Sequence, residues 1–284
     1  MQAALIEVKQ LVEILYDPGL VIIDCRYDPY NIDAGFEQYK TGHIPGAYHV
    51  HVKHDLSAIA TGENGRHPLP DKKQFDHLLA QLGVYEADTI VLYDAKYNIY
   101  SARLWWMLSW FGIRHVYLLD GGYSFWQSNV GLSSTAVQEY KHNIVTATDY
   151  VANDDQWVDA NDVLSQLETK HRLVVDARPK DRYTGKFDDQ DPIAGHIPNA
   201  INHCYKNNHI EDGRFKSVSE LSKQFTYLIN GVEPHNVIHQ CGSGITACNN
   251  LFCMELVKLP GSKLYPGSWS EWCADTSRPM VAAN

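Results

Sequence analysis

Short apolar runs of four or five residues alternate with longer segments in which apolar positions recur every three or four residues. The runs at 20–24 (Leu-Val-Ile-Ile-Asp), 89–93 (Thr-Ile-Val-Leu-Tyr) and 115–119 (His-Val-Tyr-Leu-Leu) predict strands, with a further short strand near 47–50. The helical spacing predicts helices over 8–15, 72–82 and 101–111. Residues 1–13 read as the start of the first helix, with no basic segment before an apolar stretch, so no secretion signal is expected. Unbroken apolar strands alternating with helices predict an α/β fold with a mainly parallel sheet flanked by helices on both faces. From about 133 to 154 no period is evident.

The chain contains this pattern twice. Leu173-Val-Val-Asp176-Ala-Arg178 echoes Val21-Ile-Ile-Asp24-Cys-Arg26, and Gly195-His-Ile-Pro-Asn-Ala200 echoes Gly42-His-Ile-Pro-Gly-Ala47. Gly213-Arg-Phe-Lys echoes Gly65-Arg-His-Pro, each followed by an amphipathic helix ending in Gly-Val. Pro266-Gly-Ser-Trp-Ser-Glu-Trp272 answers Asp120-Gly-Gly-Tyr-Ser-Phe-Trp126. Partners stay near 150 residues apart, which implies one domain in tandem: 1–132, a linker over 133–153, and 154–284. A length of 284 residues suits two domains.

Charge narrows the partners. The formal net charge is −10, without a basic block, which argues against nucleic acid and anionic membrane surfaces. No run of 18 apolar residues exists to span a bilayer. Six cysteines (25, 204, 241, 248, 253 and 273) without a secretion signal favour reduced thiols and a cytoplasmic location. No His/Cys cluster has the spacing of a zinc site, and no metal or organic cofactor is expected.

The chemistry is expected where the second repeat reads Asn236-Val-Ile-His-Gln240, then Cys241-Gly-Ser-Gly-Ile-Thr246, then a helix. A strand, a Gly-rich loop and a helix aim successive backbone N–H groups at the cysteine sulfur and favour its thiolate. Gly242, Gly244, Ile245 and Thr246 form this loop, with Ser243 placed to hand a proton to a leaving group or to cap the helix. The first repeat has Asp94 in the cysteine's place and so lacks the thiol, and that copy should be catalytically silent. The pairs Asp24/Arg26 and Asp176/Arg178, and His43 and His196, recur in both copies, which marks them as structural.

These tandem Asp-x-Arg, Gly-His-Ile-Pro and Gly-Ser-Trp-Ser-Glu-Trp motifs, with a Cys loop in the second copy alone, resemble the two-domain rhodanese sulfurtransferases over nearly the whole chain. Cys-Gly-Ser-Gly-Ile-Thr-Ala is similar to the loop of the 3-mercaptopyruvate sulfurtransferases, whereas thiosulfate-type rhodaneses tend to carry a basic residue after the cysteine. The resemblance implies two rhodanese-like domains and a mechanism. Cys241 takes sulfur from a small anionic donor as a persulfide and passes it to cyanide, a low-molecular-weight thiol or a thioredoxin-like protein. It also implies that Arg182 grips the donor carboxylate and that His67, from the first domain, belongs to a proton relay with Ser243. Relatives of the mercaptopyruvate type carry a second arginine before their Gly-His-Ile-Pro; here Phe187-Asp-Asp-Gln-Asp-Pro-Ile-Ala stands there, and Lys186 is the nearby cation. The relay's acid is missing or shifted to Asp55.

Two donors therefore stay open, 3-mercaptopyruvate and thiosulfate, beside a sulfur carrier loaded by a cysteine desulfurase. A phosphatase of the related Cys-loop type needs a Cys-x5-Arg loop; position 247 is Ala, and the loop holds no arginine.

Overall fold

In a computed structural model, residues 3–141, 152–169 and 171–281 are described. The chain forms two compact units. One comprises 1–58, 70–153 and 209–215, and the other 59–69, 154–208 and 216–284. The segment carrying Arg66 and His67 thus packs with the second unit. Of the linker expected over 133–153, residues 142–151 lie outside the described residues. Residues 133–141 run against the first unit, with Ser134 and His43 exchanging both backbone hydrogen bonds (2.9 and 3.0 Å).

The first unit runs β1 (Ala4–Ile6), α1 (Val8–Ile14), β2 (Leu20–Asp24), α2 (Ala34–Thr41), β3 (Tyr48–His49), α3 (Lys72–Gln81), β4 (Thr89–Tyr93), α4 (Ile99–Trp110), β5 (Val116–Leu119) and α5 (Gly122–Asn129). Its strands pair in the order β1-β5-β4-β2-β3, and every pairing is parallel. Residues 4–6 were expected to lie in the first helix but form an edge strand on β5; pairing decides the state of so short a segment. Helix α4 begins two residues before its expected start and is buried on all sides from Ser101 to Trp110, which explains its nearly continuous apolar sequence.

The second unit runs α6 (Ala160–Thr169), β6 (Leu173–Asp176), α7 (Lys180–Tyr183), β7 (Ile201–Asn202), α8 (Val218–Ile229), β8 (Val237–Gln240), α9 (Ala247–Leu256), β9 (Lys263–Leu264) and α10 (Ser268–Trp272). The sheet order is β7-β6-β8-β9, again all parallel. A single parallel bridge from Trp157 to Leu264 stands where β1 joins β5 in the first unit. Helix α8 opens on a capping box, in which Ser217 and Glu220 satisfy each other's backbone N–H.

The two Asp-x-Arg pairs do the same work in each unit. Asp24 accepts from Nε and Nη2 of Arg26, whose Nη2 also donates to the Gly42 carbonyl at 2.7 Å. Arg178 repeats this with Asp176 and the Gly195 carbonyl, at 2.7 Å. Each buried ion pair ties a strand end to its Gly-His-Ile-Pro turn. The turn histidines hold the preceding helix, His43 through the Tyr39 carbonyl and His196 through that of Tyr183. In register, Asp176 faces Gln240, so the loop after β8 opens beside the end of β6, where parallel sheets leave room for ligands.

Candidate active site

The loop 241–246 leaves β8, whose four residues are all buried, and enters α9, buried from Ala247 to Met254. Both flanking elements are therefore fixed by packing. The Cys241 N–H donates to Oγ of Ser268 at 3.0 Å, and the carbonyls of Cys241 and Gly242 accept from the N–H groups of Trp269 and Ser270 at 3.0 and 2.9 Å. Gly244 has φ +74°, and a side chain there would strike the Pro266 carbonyl, so the turn demands glycine. Cys241 is 1% exposed and Ser243 7%. Among the described residues, no acceptor takes the N–H of Ser243, Ile245 or Thr246. These three donors keep their hydrogens uncommitted.

The first unit shows what such a loop accepts. Asp94, 2% exposed, folds its carboxylate back into the loop after β4. Its Oδ1 accepts from the N–H groups of Lys96 and Asn98 (3.1 and 3.0 Å), and Oδ2 from those of Tyr100 and Ser101 (2.8 and 3.4 Å). Burial raises the Asp94 pKa and these N–H bonds oppose the rise. In the first unit this strand–loop–helix turn is an anion cradle filled by the chain's own carboxylate; the corresponding turn of the second unit carries a thiol.

Around Gly242 two guanidinium groups close in. A Cβ at Gly242 would lie 2.8 Å from Nη2 of Arg66 and 3.3 Å from both Nη1 and Nη2 of Arg182. Arg182 donates through Nε and Nη2 to Asp188 and through Nη2 to Asp191 at 2.9 Å. Arg66 pairs with the other oxygen of Asp191, and its N–H donates to Ser270 Oγ at 3.1 Å. His67 follows directly, its Nδ1 2.9 Å from Oγ of Ser243. Gly65, at φ +84°, lies against the Gly267 backbone and turns the segment inward.

Of the residues singled out in the sequence, Cys241, Gly242, Ser243, Gly244, Arg182 and His67 come together here, with Ile245 and Thr246 completing the loop. Lys186 does not join them: its side chain is 75% exposed and faces Asp181 at 3.7 Å. Sequence reasoning gave Arg66 no role, and noted Asp188, Gln190 and Asp191 only as the acidic segment standing in place of a second arginine. The Gly65-Arg-His-Pro repeat was the available signal for Arg66, but nothing local tells that a residue 175 positions before Cys241 reaches its loop. Cys248 donates its thiol to the Gly244 carbonyl, and Cys253 and Cys273 are buried, with thiol pKa values raised by desolvation.

Two parallel α/β units of one design, with a cysteine-bearing anion loop in one and a self-filled loop in the other, define a duplicated α/β group-transfer enzyme. A family model described as "Rhodanese-like domain" matches residues 7–129 and 159–275. The chain is 37% identical to a probable 3-mercaptopyruvate sulfurtransferase of Pseudomonas aeruginosa, with 99% of each chain covered. It is 32% identical to a putative thiosulfate sulfurtransferase, SseB, of Mycobacterium tuberculosis, over 91% of this chain and 89% of that one. The solved 3-mercaptopyruvate sulfurtransferase of Leishmania major superposes with a TM-score of 0.86 at 25% identity, covering 98% of this chain and 76% of that chain. The chain belongs to the rhodanese family, and it is a sulfurtransferase, taking sulfur from a donor and delivering it to an acceptor. Among the described residues, no helix is long and apolar enough to cross a membrane.

Proposed function

We propose that the chain moves a sulfane sulfur from 3-mercaptopyruvate to a thiol, or to cyanide, through a persulfide on Cys241. The observation that carries this reading is the contrast between the two loops. Four backbone N–H groups hold the Asp94 carboxylate in one loop. The corresponding loop of the other unit carries a thiol followed by Gly242, which two guanidiniums approach, and Ser243, which pairs with His67. In this reading 154–284 is the catalytic domain, 1–132 the silent one, and 133–153 joins them.

The Cys241 thiolate attacks the donor sulfur. The Sγ–S bond forms while the carbon–sulfur bond breaks, and carbon leaves with the electron pair as the pyruvate enolate. Ser243 Oγ delivers a proton toward that enolate and is reprotonated through His67. The uncommitted N–H groups of Ser243, Ile245 and Thr246 hold the negative charge of the persulfide. An acceptor thiolate or cyanide then attacks the outer sulfur and returns Cys241 as thiolate, which makes the kinetics ping-pong. Arg182 binds the donor carboxylate through the Nη1 donor that its bonds to Asp188, Gln190 and Asp191 leave uncommitted.

Thiosulfate is the second reading, favoured by the 32% identity to the putative thiosulfate sulfurtransferase and by guanidiniums that suit a sulfonate as well as a carboxylate. The test is kcat/KM for 3-mercaptopyruvate and thiosulfate side by side, with cyanide as acceptor and Cys241→Ser as the blank. A preference for mercaptopyruvate supports the first reading, and a preference for thiosulfate replaces it with the second.

A further inference from the structure

Arg66 lies outside the roles assigned so far, and its guanidinium is held in an unusual way. Two cations side by side repel each other unless something bridges them. Here Asp191 bridges them, one carboxylate oxygen to Arg66 and the other to Arg182. The Gln190 side-chain oxygen bridges them again, accepting from Nη2 of Arg66 at 3.1 Å and from Nη1 of Arg182 at 3.3 Å. Asp188 takes the remaining edge of Arg182. Each of these two nitrogens carries two hydrogens. The Gln190 bond uses one, so Arg66 Nη2 and Arg182 Nη1 each retain a donor uncommitted among the described residues. These are the nitrogens that stand 2.8 and 3.3 Å from where a Gly242 Cβ would be.

We propose that Arg66 is the second guanidinium of the donor-anion site, gripping the donor's carboxylate or sulfonate jointly with Arg182 beside Gly242, with Gln190 and Asp191 holding the two forks together. The proposal rests on the reading that the Cys241 loop takes an anionic sulfur donor. It accounts for the segment 187–194, which has acids where a second arginine would stand. Its acids orient a guanidinium that arrives from residue 66. Three arginines (66, 178 and 182) face three aspartates (176, 188 and 191), so this cluster is balanced. The anion is recognised by aimed N–H groups and not by net charge. It also assigns Gly242 a purpose, since any side chain there would fill the space between the forks and the loop.

The experiment compares the rates at which Cys241 is alkylated by iodoacetate and by iodoacetamide in the wild type, Arg66→Gln and Arg66→Lys. The two reagents carry the same leaving group and differ in a carboxylate. The iodoacetate-to-iodoacetamide ratio is expected to fall about tenfold in Arg66→Gln, the loss of one charge-assisted hydrogen bond. Arg66→Lys is expected to lower the ratio by less, because one ammonium cannot pair with Asp191 and fork onto the anion together. An unchanged ratio in Arg66→Gln, or equal losses with both reagents, overturns the proposal and leaves Arg66 as a support of the loop. Should Arg66→Gln fail to fold, an unchanged ratio in Arg66→Lys overturns it in the same way. Wild-type turnover of neither mercaptopyruvate nor thiosulfate would defeat the proposed function, while the alkylation ratio would still decide the role of Arg66.

Discussion

Nδ1 of His67 lies 2.9 Å from Oγ of Ser243, across 176 residues of sequence. The hydroxyl is nearly buried, and it sits in the Cys241 loop, where the proposed mechanism has the leaving group depart. A proton is needed when an enolate leaves and is not needed when sulfite leaves as a stable anion. Ser243→Ala is therefore expected to lower kcat with mercaptopyruvate by about a hundredfold, the scale of general acid catalysis, and to change kcat with thiosulfate far less. His67→Asn should follow the same pattern. Equal losses with both donors would reduce the pair to a support of the loop.

Asp94 presents the opposite case, a buried carboxylate with a structural task. Four backbone N–H groups depend on it. Asp94→Asn places an amide NH2 against some of those donors and is expected to destabilise the first unit by about 2–4 kcal/mol. At temperatures where the variant remains folded, kcat/KM should match the wild type. Thermal unfolding and steady-state assays on one preparation test both halves.

Gly242 and Gly244 are two residues apart and should respond differently to alanine. At Gly242 the added methyl meets Arg66 and Arg182, flexible side-chain ends, so the fold survives and donor KM rises by about tenfold as the forks are pushed away. At Gly244 the φ of +74° and the Pro266 carbonyl oppose any Cβ, and a loss of stability of about 1–3 kcal/mol is expected. Comparing KM with the urea midpoint for each variant separates the two effects.

His239, in β8 two residues before Cys241, is fully buried, and desolvation lowers its pKa to about 3. Neither ring nitrogen has a hydrogen-bond partner among the described residues. The unfolded chain takes up a proton near pH 6.5 and the folded one near pH 3, so the stability due to neutral burial is complete above pH 6.5 and is lost as pH falls toward 3. The slope from this group is at most about 1.4 kcal/mol per pH unit. His203, its pKa also lowered by burial, adds to it. His239→Leu should flatten urea-unfolding stability between pH 5 and 6.5 without weakening the protein at pH 7.5. A slope equal to that of the wild type would assign acid sensitivity elsewhere.

How far the sequence could be read depended on how local each feature is. The repeat, the parallel strands and the Cys loop with its Asp94 counterpart were legible because each is written in consecutive residues. The strand Ala4–Ile6 was not, since three residues beside a helical pattern become a strand only through β5. Lys186 was favoured by closeness in sequence, yet its side chain turns to solvent. Arg66 was overlooked because its partners, Gln190 and Asp191, are more than a hundred residues away. The acids at 188 and 191 read in sequence as a segment standing where relatives carry a second arginine; in three dimensions they bind the guanidiniums of Arg182 and Arg66 beside Gly242.

The proposed persulfide on Cys241 is the step on which the rest depends, and mass spectrometry can observe it. The enzyme is incubated with mercaptopyruvate in the absence of acceptor, digested without reductant, and the cysteine peptides are weighed. One added sulfur atom on the peptide containing Cys241, discharged by cyanide and absent in Cys241→Ser, is the expected result. Sulfur carried on another cysteine, or turnover in Cys241→Ser comparable with the wild type, would contradict the mechanism.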